Sequence, residues 1–242
     1  MSTVLKPYKK EFDFSYACGA YAVIELLNAR PEAVKAVYLH SKYTGSEDIA
    51  GLCEARGIPV VYNDRAFERV NKKENTFALG VFGKYSCELS PERPHVVLVN
   101  PGDMGNTGTI IRTMAGLNIP DLAVILPAAD IFDPKTVRAS MGALFRVRFR
   151  CFLSFEAYRG AFPSHQCFPF TPEGPLELGR DNCPRMPLFS LLFGNEASGL
   201  PDCCKAAGPG VRIPQSALVD SLNLSVAAGI GIFLFADRNG LL

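Results

Sequence analysis

Short apolar runs alternate with polar, turn-forming stretches along the whole chain, and this alternation is typical of a protein built from both strands and helices. In the first third, the runs predict helices at residues 20–27, 47–56 and 64–70 and strands at residues 34–39, 59–62 and 76–82. The pattern therefore predicts a small α/β domain at residues 1–86. The turn-rich, charged stretch that follows it is predicted to be a linker at residues 87–94.

The chain after the linker, residues 95–242, predicts a second α/β domain. The run HVVLVN at residues 95–100 is apolar almost throughout, as expected of a parallel strand that is buried on both faces. A helix follows whose apolar residues share one face, so Arg112 is predicted to point away from the core. Asn106 lies where the loop turns into this helix, and we interpret it as either a helix cap or a substrate contact.

Two further strands are predicted at residues 122–127 and 145–149, with a helix near residues 135–144 between them. Pro and Gly are dense and periodicity is weak between residues 160 and 186. Only one strand, at residues 167–170, is predicted in that stretch, and its remainder is predicted to be loop.

Two short runs in the C-terminal third each predict an apolar strand, a polar loop and the start of a helix. The first strand ends at Gly194, and a lone carboxylate follows at Glu196. The second ends at Pro214, and Ser221 and Asn223 come at the start of a long apolar helix. We expect the polar side chains of these loops to face a pocket.

The composition excludes some classes of protein but does not itself indicate a function. With 242 residues and 48% hydrophobic content, the chain is long and apolar enough for a buried core. The formal charge of +1 gives no overall attraction to a polyanion. The eight cysteines form no C-x-x-C pair, which favours buried thiols in a reducing cytoplasm and disfavours a metal site. The longest apolar run is shorter than the ~20 residues that span a bilayer, so no membrane segment is expected.

One stretch carries charge of a single sign. It contains no acidic residue, and the hypothesis of a strand at residues 145–149 places three of its arginines on one face. These arginines either grip a phosphate backbone or pair with nearby acids, and the sequence leaves both interpretations open. The basic residues of the stretch are Lys135, Arg138, Arg146, Arg148 and Arg150.

Three separated motifs resemble those of the SpoU (TrmH-like) family of SPOUT RNA 2′-O-ribose methyltransferases. N-T-G-T-I-I-R at residues 106–112 resembles the family's N-x-G-x-x-x-R. G-N-E-A-S-G-L at residues 194–200 resembles G-x-E-x-x-G-L. I-P at residues 213–214 with S-L-N at residues 221–223 resembles the third motif. Their order and their strand–loop–helix context extend the resemblance from about residue 95 to the end.

The resemblance implies a fold and a reaction. The fold would be an α/β C-terminal SPOUT domain with a parallel sheet and a deep trefoil knot, preceded by a small α/β (L30e-like) domain that binds the RNA substrate. The reaction would transfer the methyl group of S-adenosyl-L-methionine to a ribose 2′-hydroxyl of structured RNA, with rRNA and tRNA both open. The resemblance implies cofactor contacts from Leu192, Gly194, Ile213, Ser221 and Leu222.

A ribose 2′-hydroxyl is a poor nucleophile at neutral pH, so the site must orient it and stabilise developing negative charge. By resemblance, Arg112 is the catalytic arginine. We prefer a role in gripping the target phosphate and polarising the hydroxyl, because a guanidinium seldom gives up its proton. Asn106, Ser221 and Asn223 would hold the ribose or orient Arg112, and Glu196 would fix the arginine or a loop. The same side chains also suit helix caps and loop ties.

The C-terminal helix is apolar on nearly every side, which predicts a homodimer through that helix. The resemblance implies the same assembly, and neither a metal nor a membrane is expected to take part. Two other functions stay open. One is a catalytically inactive SPOUT-fold protein that only binds RNA, and the other is a SPOUT enzyme that methylates a base.

Overall fold

The computed structural model describes residues 5–70 and 76–242. It divides into two compact units, one formed by Met1–Tyr85 with Asp130–Arg146 and the other by Ser86–Ala129 with Val147–Leu242. In chain order the elements are β1 (Phe14–Cys18), α1 (Ala20–Ala29), β2 (Val34–Leu39), α2 (Ser46–Glu54), β3 (Val60–Tyr62), α3 (Asp64–Val70), β4 (Ala78–Gly83), β5 (His95–Val99), α4 (Met104–Gly116), β6 (Asp121–Ile125), α5 (Pro134–Ala139), β7 (Arg148–Phe152), α6 (Phe155–Ala161), β8 (Gln166–Pro169), β9 (Leu176–Glu177), β10 (Phe189–Phe193), α7 (Asp202–Lys205), β11 (Val211–Arg212) and α8 (Leu224–Arg238).

The first unit is a four-stranded mixed sheet in the order β1-β4-β2-β3. β4 pairs antiparallel with β1 and β2, and β3 is parallel to β2. The predicted helices and strands of this unit are present within a few residues of their expected bounds. Strand β1 was not predicted. Its polar Ser15 interrupts the apolar pattern, yet Ser15 is fully buried and its hydroxyl donates to the Phe132 carbonyl.

The segment Asp130–Arg146 packs with the first unit, although the sequence assigns it to the second domain at residues 95–242. Aromatic packing explains the difference. The ring centroid of Phe145 lies 5.1 Å from that of Phe82 in a perpendicular arrangement, and the Phe132 ring lies 6.1 Å from the same ring. Phe145 is therefore in the core of the first unit. A contact between residues so far apart along the chain cannot be predicted from local sequence patterns.

The second unit contains a five-stranded, fully parallel sheet in the order β7-β6-β5-β10-β8. This confirms the predicted parallel α/β architecture. The side chains of β5, β6 and β10 are buried throughout, which explains their nearly continuous apolar sequences. A separate parallel pair, β9 with β11, lies beyond the end of β8 through a bridge between Phe170 and Val211.

The stretch at residues 160–186 is more ordered than predicted. It contains the end of α6, strand β8 close to its expected place, and the two-residue strand β9. β9 was missed because its pairing depends on Val211 and Arg212, more than thirty residues further along the chain. Across the described ranges, no helix is long and apolar enough to cross a bilayer. All eight cysteines are free, and five of them are buried as predicted.

The arginines at residues 146–150 do not share one strand face, because the strand begins later than predicted. Arg146 follows a turn of 3₁₀ helix at Ala143–Phe145, whereas Arg148 and Arg150 lie in β7. Each pairs with an acid: Arg146 with Glu25, Arg148 with Asp121, and Arg150 with Glu88. Of the two interpretations that the sequence left open, ion pairing is the one present in the structure.

Candidate active site

A cleft of about 940 Å³ opens at the carboxyl end of the parallel sheet in the second unit. In parallel α/β sheets, ligands characteristically bind outside the carboxyl ends of the strands. The loop after β10, the segment after β11 and the start of α4 converge there. Seven of the residues that the sequence singled out line this cleft: Asn106, Gly194, Glu196, Ile213, Ser221, Leu222 and Asn223.

The carboxylate of Glu196 links the loop after β10 to the loop after β5. Its Oε2 accepts a hydrogen bond of 3.1 Å from the Gly102 amide, and its Oε1 accepts one of 3.2 Å from the Asp103 amide. The side-chain amide of Asn106 donates a third bond to Oε1, at 3.1 Å. Glu196 therefore joins two segments of chain that lie more than ninety residues apart.

Asn223 extends this network to the third loop. Its Nδ2 donates to Oδ1 of Asn106 at 3.1 Å, while its Oδ1 accepts from the Ser225 amide at 2.9 Å and so caps α8. The side-chain amides of Asn106 and Asn223 each donate through nitrogen to one partner and accept through oxygen from another, which fixes their orientation. A continuous chain of hydrogen bonds runs from the start of α8 through Asn106 to Glu196.

The sequence interpretations of the caps need correction. Asp103, and not Asn106, caps α4, since its side chain accepts a 2.6 Å hydrogen bond from the Asn106 amide. Asn223, and not Ser221, caps α8. Ser221 is an exposed residue of the cleft lining, two positions before that cap.

The pKa of Glu196 is shifted by two opposing effects. Burial of the carboxylate raises its pKa, but the hydrogen bonds donated by Asn106 and by the Gly102 and Asp103 amides outweigh burial and lower it below 4.5. The carboxylate is therefore ionised at neutral pH and remains available as an acceptor for all three donors.

Two predicted site residues lie outside the cleft. Leu192 is in β10 with its side chain fully buried in the core, where it packs with Val97, Val99 and Leu200. Arg112 is exposed on α4, pointing away from the core as predicted, and it is not among the residues that line the cleft. It forms no hydrogen bond to Glu196 or Asn223 within the described residues.

Asn195 has a structural role that sequence reasoning missed. Its side-chain nitrogen donates to the Asn100 carbonyl at 2.9 Å, and its side-chain oxygen accepts from the Ala197 and Ser198 amides. An asparagine directly after a strand is a common signal for such a side-chain-stabilised turn, and Asp103 three residues before Asn106 is a common helix-cap signal. Both signals were present in the sequence.

Gly194 permits a close contact between two stretches of backbone. A Cβ atom at this position would lie 2.3 Å from the Gly199 carbonyl carbon and 2.4 Å from the Leu200 nitrogen. The contact accompanies a pair of backbone hydrogen bonds between Asn195 and Gly199. Because backbone atoms occupy the space, only glycine fits here without moving the loop.

We expect Gly194→Ala to lower the free energy of unfolding by about 1–3 kcal/mol, since the added methyl group must push the loop away from the cleft. Chemical denaturation measures this change. Gly179→Ala is the matched control, because a Cβ at Gly179 meets nothing within 4 Å. Equal stability of the two variants would contradict the contact.

The cleft has the chemistry expected for S-adenosylmethionine. Its volume lies in the range of small-molecule sites, and its lining combines polar residues with apolar ones such as Ile213, Val219 and Leu222. Gly194, Ile213 and Leu222, which were predicted to contact the cofactor, are part of this lining. In the described part of the chain, no group of three or more His, Cys, Asp or Glu residues is placed to hold a metal ion.

A sequence profile of the SpoU rRNA Methylase family matches residues 93–233 of this chain. The chain is 29% identical over 204 residues to the 23S rRNA (adenosine(1067)-2′-O)-methyltransferase of Streptomyces laurentii. That alignment covers 79% of this chain and 74% of that protein. The chain is 32% identical over 144 residues to the ribosomal RNA small subunit methyltransferase G 2 of Syntrophobacter fumaroxidans, which covers 60% of this chain but only 27% of the relative.

The fold is also similar to that of solved structures. The AdoMet-bound rRNA methyltransferase from Sinorhizobium meliloti superposes with a TM-score of 0.79 and 27% identity, covering 95% of this chain and 88% of that one. The similarity therefore includes both units of the chain and is not limited to the three motifs.

Proposed function

The chain belongs to the SpoU rRNA methylase family, and from this premise we propose that it is an S-adenosylmethionine-dependent RNA ribose 2′-O-methyltransferase. The observation that carries the proposal is the convergence of residues from all three motifs on one cleft, joined by the hydrogen-bonded chain Asn223–Asn106–Glu196. The names of the relatives support an RNA substrate, and those of the 23S rRNA enzymes favour ribosomal over transfer RNA.

S-adenosylmethionine supplies an electrophilic methyl group on a sulfonium sulfur. Gly194, Ile213 and Leu222 would hold its adenosine part through backbone groups, and Ser221 would contact it or the target ribose from the cleft wall. Leu192 would act from the core, by fixing strand β10, which Gly194 directly follows. Glu196, Asn106 and Asn223 would keep the three loops at a fixed separation, which positions the hydroxyl before the reaction.

Arg112 would bind the RNA rather than the cofactor. It lies six residues after Asn106, about 9 Å further along α4, and its side chain is exposed. From there its guanidinium would bind the phosphate next to the target ribose and polarise the 2′-hydroxyl, as the resemblance implies. A guanidinium held there offsets the negative charge of the phosphate and of the developing alkoxide, and the hydroxyl proton then passes to solvent.

A methyl-transfer assay tests the proposal. The protein is titrated with S-adenosylmethionine and then incubated with the methyl-labelled compound and total cellular RNA. We expect binding together with label in RNA. Binding without label would indicate the catalytically inactive RNA-binding alternative, and digestion of labelled RNA to nucleosides separates a methylated ribose from a methylated base.

We also propose the finer features of the fold that the family resemblance implies. The C-terminal segment would form a trefoil knot, which is supported by the position of β10 between β5 and β8 and by the packing of α8 against α4. The first unit would be the L30e-like domain that binds the RNA substrate. A cytoplasmic location remains part of this proposal.

A homodimer through α8 is proposed because this helix leaves apolar side chains in solvent. Val226 is 50% exposed and Phe233 is 49% exposed, and the two lie seven residues apart on one face. We expect Phe233→Asp to convert a dimer into a monomer in sedimentation velocity, because a carboxylate cannot be buried there without a partner. Leu153→Asp is the control, since Leu153 is 85% exposed elsewhere in the same unit. A wild-type monomer would contradict the proposal.

A further inference from the structure

One face of the first unit carries an exposed tyrosine among basic side chains, and we call this face the Tyr21 surface. Tyr21 is 57% exposed in the first turn of α1, and Met141 is 41% exposed. Three exposed cations come from the Asp130–Arg146 segment. The members of the surface are Tyr21, Lys135, Arg138, Met141 and Arg146.

Contacts between α1 and the turn after α5 hold these residues together. A Cβ on Gly142 would lie 2.6 Å from the Glu25 Cβ, so Met141 and Arg146 lie directly beside α1. Tyr21 and Glu25 share one face of that helix, four residues apart. Arg146 donates to Glu25, which lies one helical turn after Tyr21. Tyr21 and Arg146 are therefore neighbours.

Arg138 lies on α5, which packs against strand β1 of the same unit. The Met141 amide donates to the Arg138 carbonyl, and a Cβ on the next residue, Gly142, would lie 3.5 Å from the Ala22 Cα. Arg138 is therefore one turn of chain away from the contact with the first turn of α1. Lys135 and Arg138 are three residues apart on α5, with Thr136 and Val137 buried between them. Both cations therefore point to the same exposed side.

The surface carries three cations, one of which is balanced by an acid. The segment from Pro134 to Arg146 contains three cations and no acid. Glu25 balances the charge of Arg146, and Asp133, which directly precedes the segment, caps α5 by accepting from the Lys135 amide. Within the described residues, neither Lys135 nor Arg138 forms an ion pair.

Backbone geometry supports a binding role. Met141 has φ of 50° and Gly142 has φ of 79°, so two consecutive residues adopt the left-handed conformation. This conformation is costly for a methionine, and strained residues of this kind cluster at binding sites. The turn keeps an apolar side chain in solvent beside Tyr21 instead of burying it.

We infer that the Tyr21 surface binds the RNA substrate, with phosphates on Lys135 and Arg138 and an unpaired base stacked on the Tyr21 ring. An exposed aromatic ring among guanidinium and ammonium groups is the combination that recognises unpaired nucleotides. The inference rests on the proposed function, and it assigns substrate binding to a segment that the sequence placed in the other domain.

Fluorescence anisotropy with a fluorescein-labelled stem-loop RNA that has an unpaired loop tests the inference. We expect Tyr21→Ala and Arg138→Ala each to weaken binding about tenfold and Tyr21→Phe to bind as the wild type, because the ring and not the hydroxyl stacks. Arg138→Ala is also expected to reduce the salt dependence of binding by about one phosphate contact. Thermal melting confirms that each variant folds, and Lys135→Ala gives a second charge variant on the same surface.

Tyr62→Ala and Arg65→Glu are the controls, since both residues are exposed in the same unit, outside the Tyr21 surface. Unchanged RNA binding by Tyr21→Ala and Arg138→Ala, or equal losses in the controls, would overturn the inference. The inference would also be overturned if the protein bound heparin as tightly as RNA and Tyr21→Ala left that binding unchanged. If the wild type binds the stem-loop but transfers no methyl group to RNA, the proposed function is wrong, whereas the RNA-binding role of the Tyr21 surface is not contradicted.

Discussion

Replacing Arg112 with alanine is expected to lower kcat/KM for RNA methylation about 100- to 1,000-fold while leaving the affinity for S-adenosylmethionine unchanged. The reason is geometric. Arg112 is exposed on α4 and does not line the cleft, so its loss removes a contact with the RNA and none with the cofactor. Steady-state kinetics with labelled cofactor and calorimetric titration of the cofactor measure the two quantities separately.

The variant Arg112→Lys distinguishes the two roles considered for this residue. If Arg112 binds a phosphate, the lysine keeps the positive charge but loses the bidentate guanidinium. We therefore expect an intermediate rate with an unchanged pH profile. If Arg112 is a general base, the lysine must lose its proton before it can act. Because a lysine titrates near pH 10.4, the methylation rate of the variant would then rise with pH up to about that value. Arg180→Ala, at another exposed arginine of the second unit, is the control and should retain full activity.

Replacing Glu196 with glutamine is expected to weaken S-adenosylmethionine binding at least about tenfold, although the side chain keeps its size. The carboxylate accepts from Gly102, Asp103 and Asn106. A glutamine offers one oxygen and one amide nitrogen, so at least one of these donors would face another donor. The three loops would then separate. Glu173→Gln is the control, because Glu173 also lines the cleft but accepts no such hydrogen bond from the residues that the structure describes.

The same substitution should change how stability depends on pH. The folded-state pKa of Glu196 lies below its ordinary value of 4.5, so the ionised carboxylate stabilises the fold above that value. This contribution is lost as pH falls through the lowered pKa. The difference in unfolding free energy between the wild type and Glu196→Gln should therefore shrink on acidification, and chemical denaturation at several pH values measures it. A difference that is constant with pH would contradict the role of the charge.

Much of the fold could be predicted because its strands are buried and therefore apolar. Strand β2 was predicted at its observed residues, and the helix after β5 showed its buried face in the sequence. The missed strand β1 contains a buried serine, whose partner is a carbonyl more than a hundred residues away. The segment Asp130–Arg146 packs with the first unit for a similar reason, since Phe145 meets Phe82 and Arg30, which lie far from it along the chain.

The site was predicted from motifs, and its geometry divides the predicted residues into two groups. Asn106, Glu196 and Asn223 meet through hydrogen bonds, which only a folded chain can show. Leu192 and Arg112, in contrast, do not line the cleft. A motif fixes the residue type and its place in the sequence, whereas the direction of a side chain depends on where the strand or helix begins.

A crystal structure with S-adenosylhomocysteine tests most directly whether the three loops form one cofactor site. We expect its adenosine part in the cleft against the backbone of Gly194, Ile213 and Leu222, with the sulfur facing the open side near Asn106. The hydrogen bonds among Glu196, Asn106 and Asn223 should be retained. The account would be contradicted if the compound bound outside this cleft, or if its binding broke these hydrogen bonds and separated the loops.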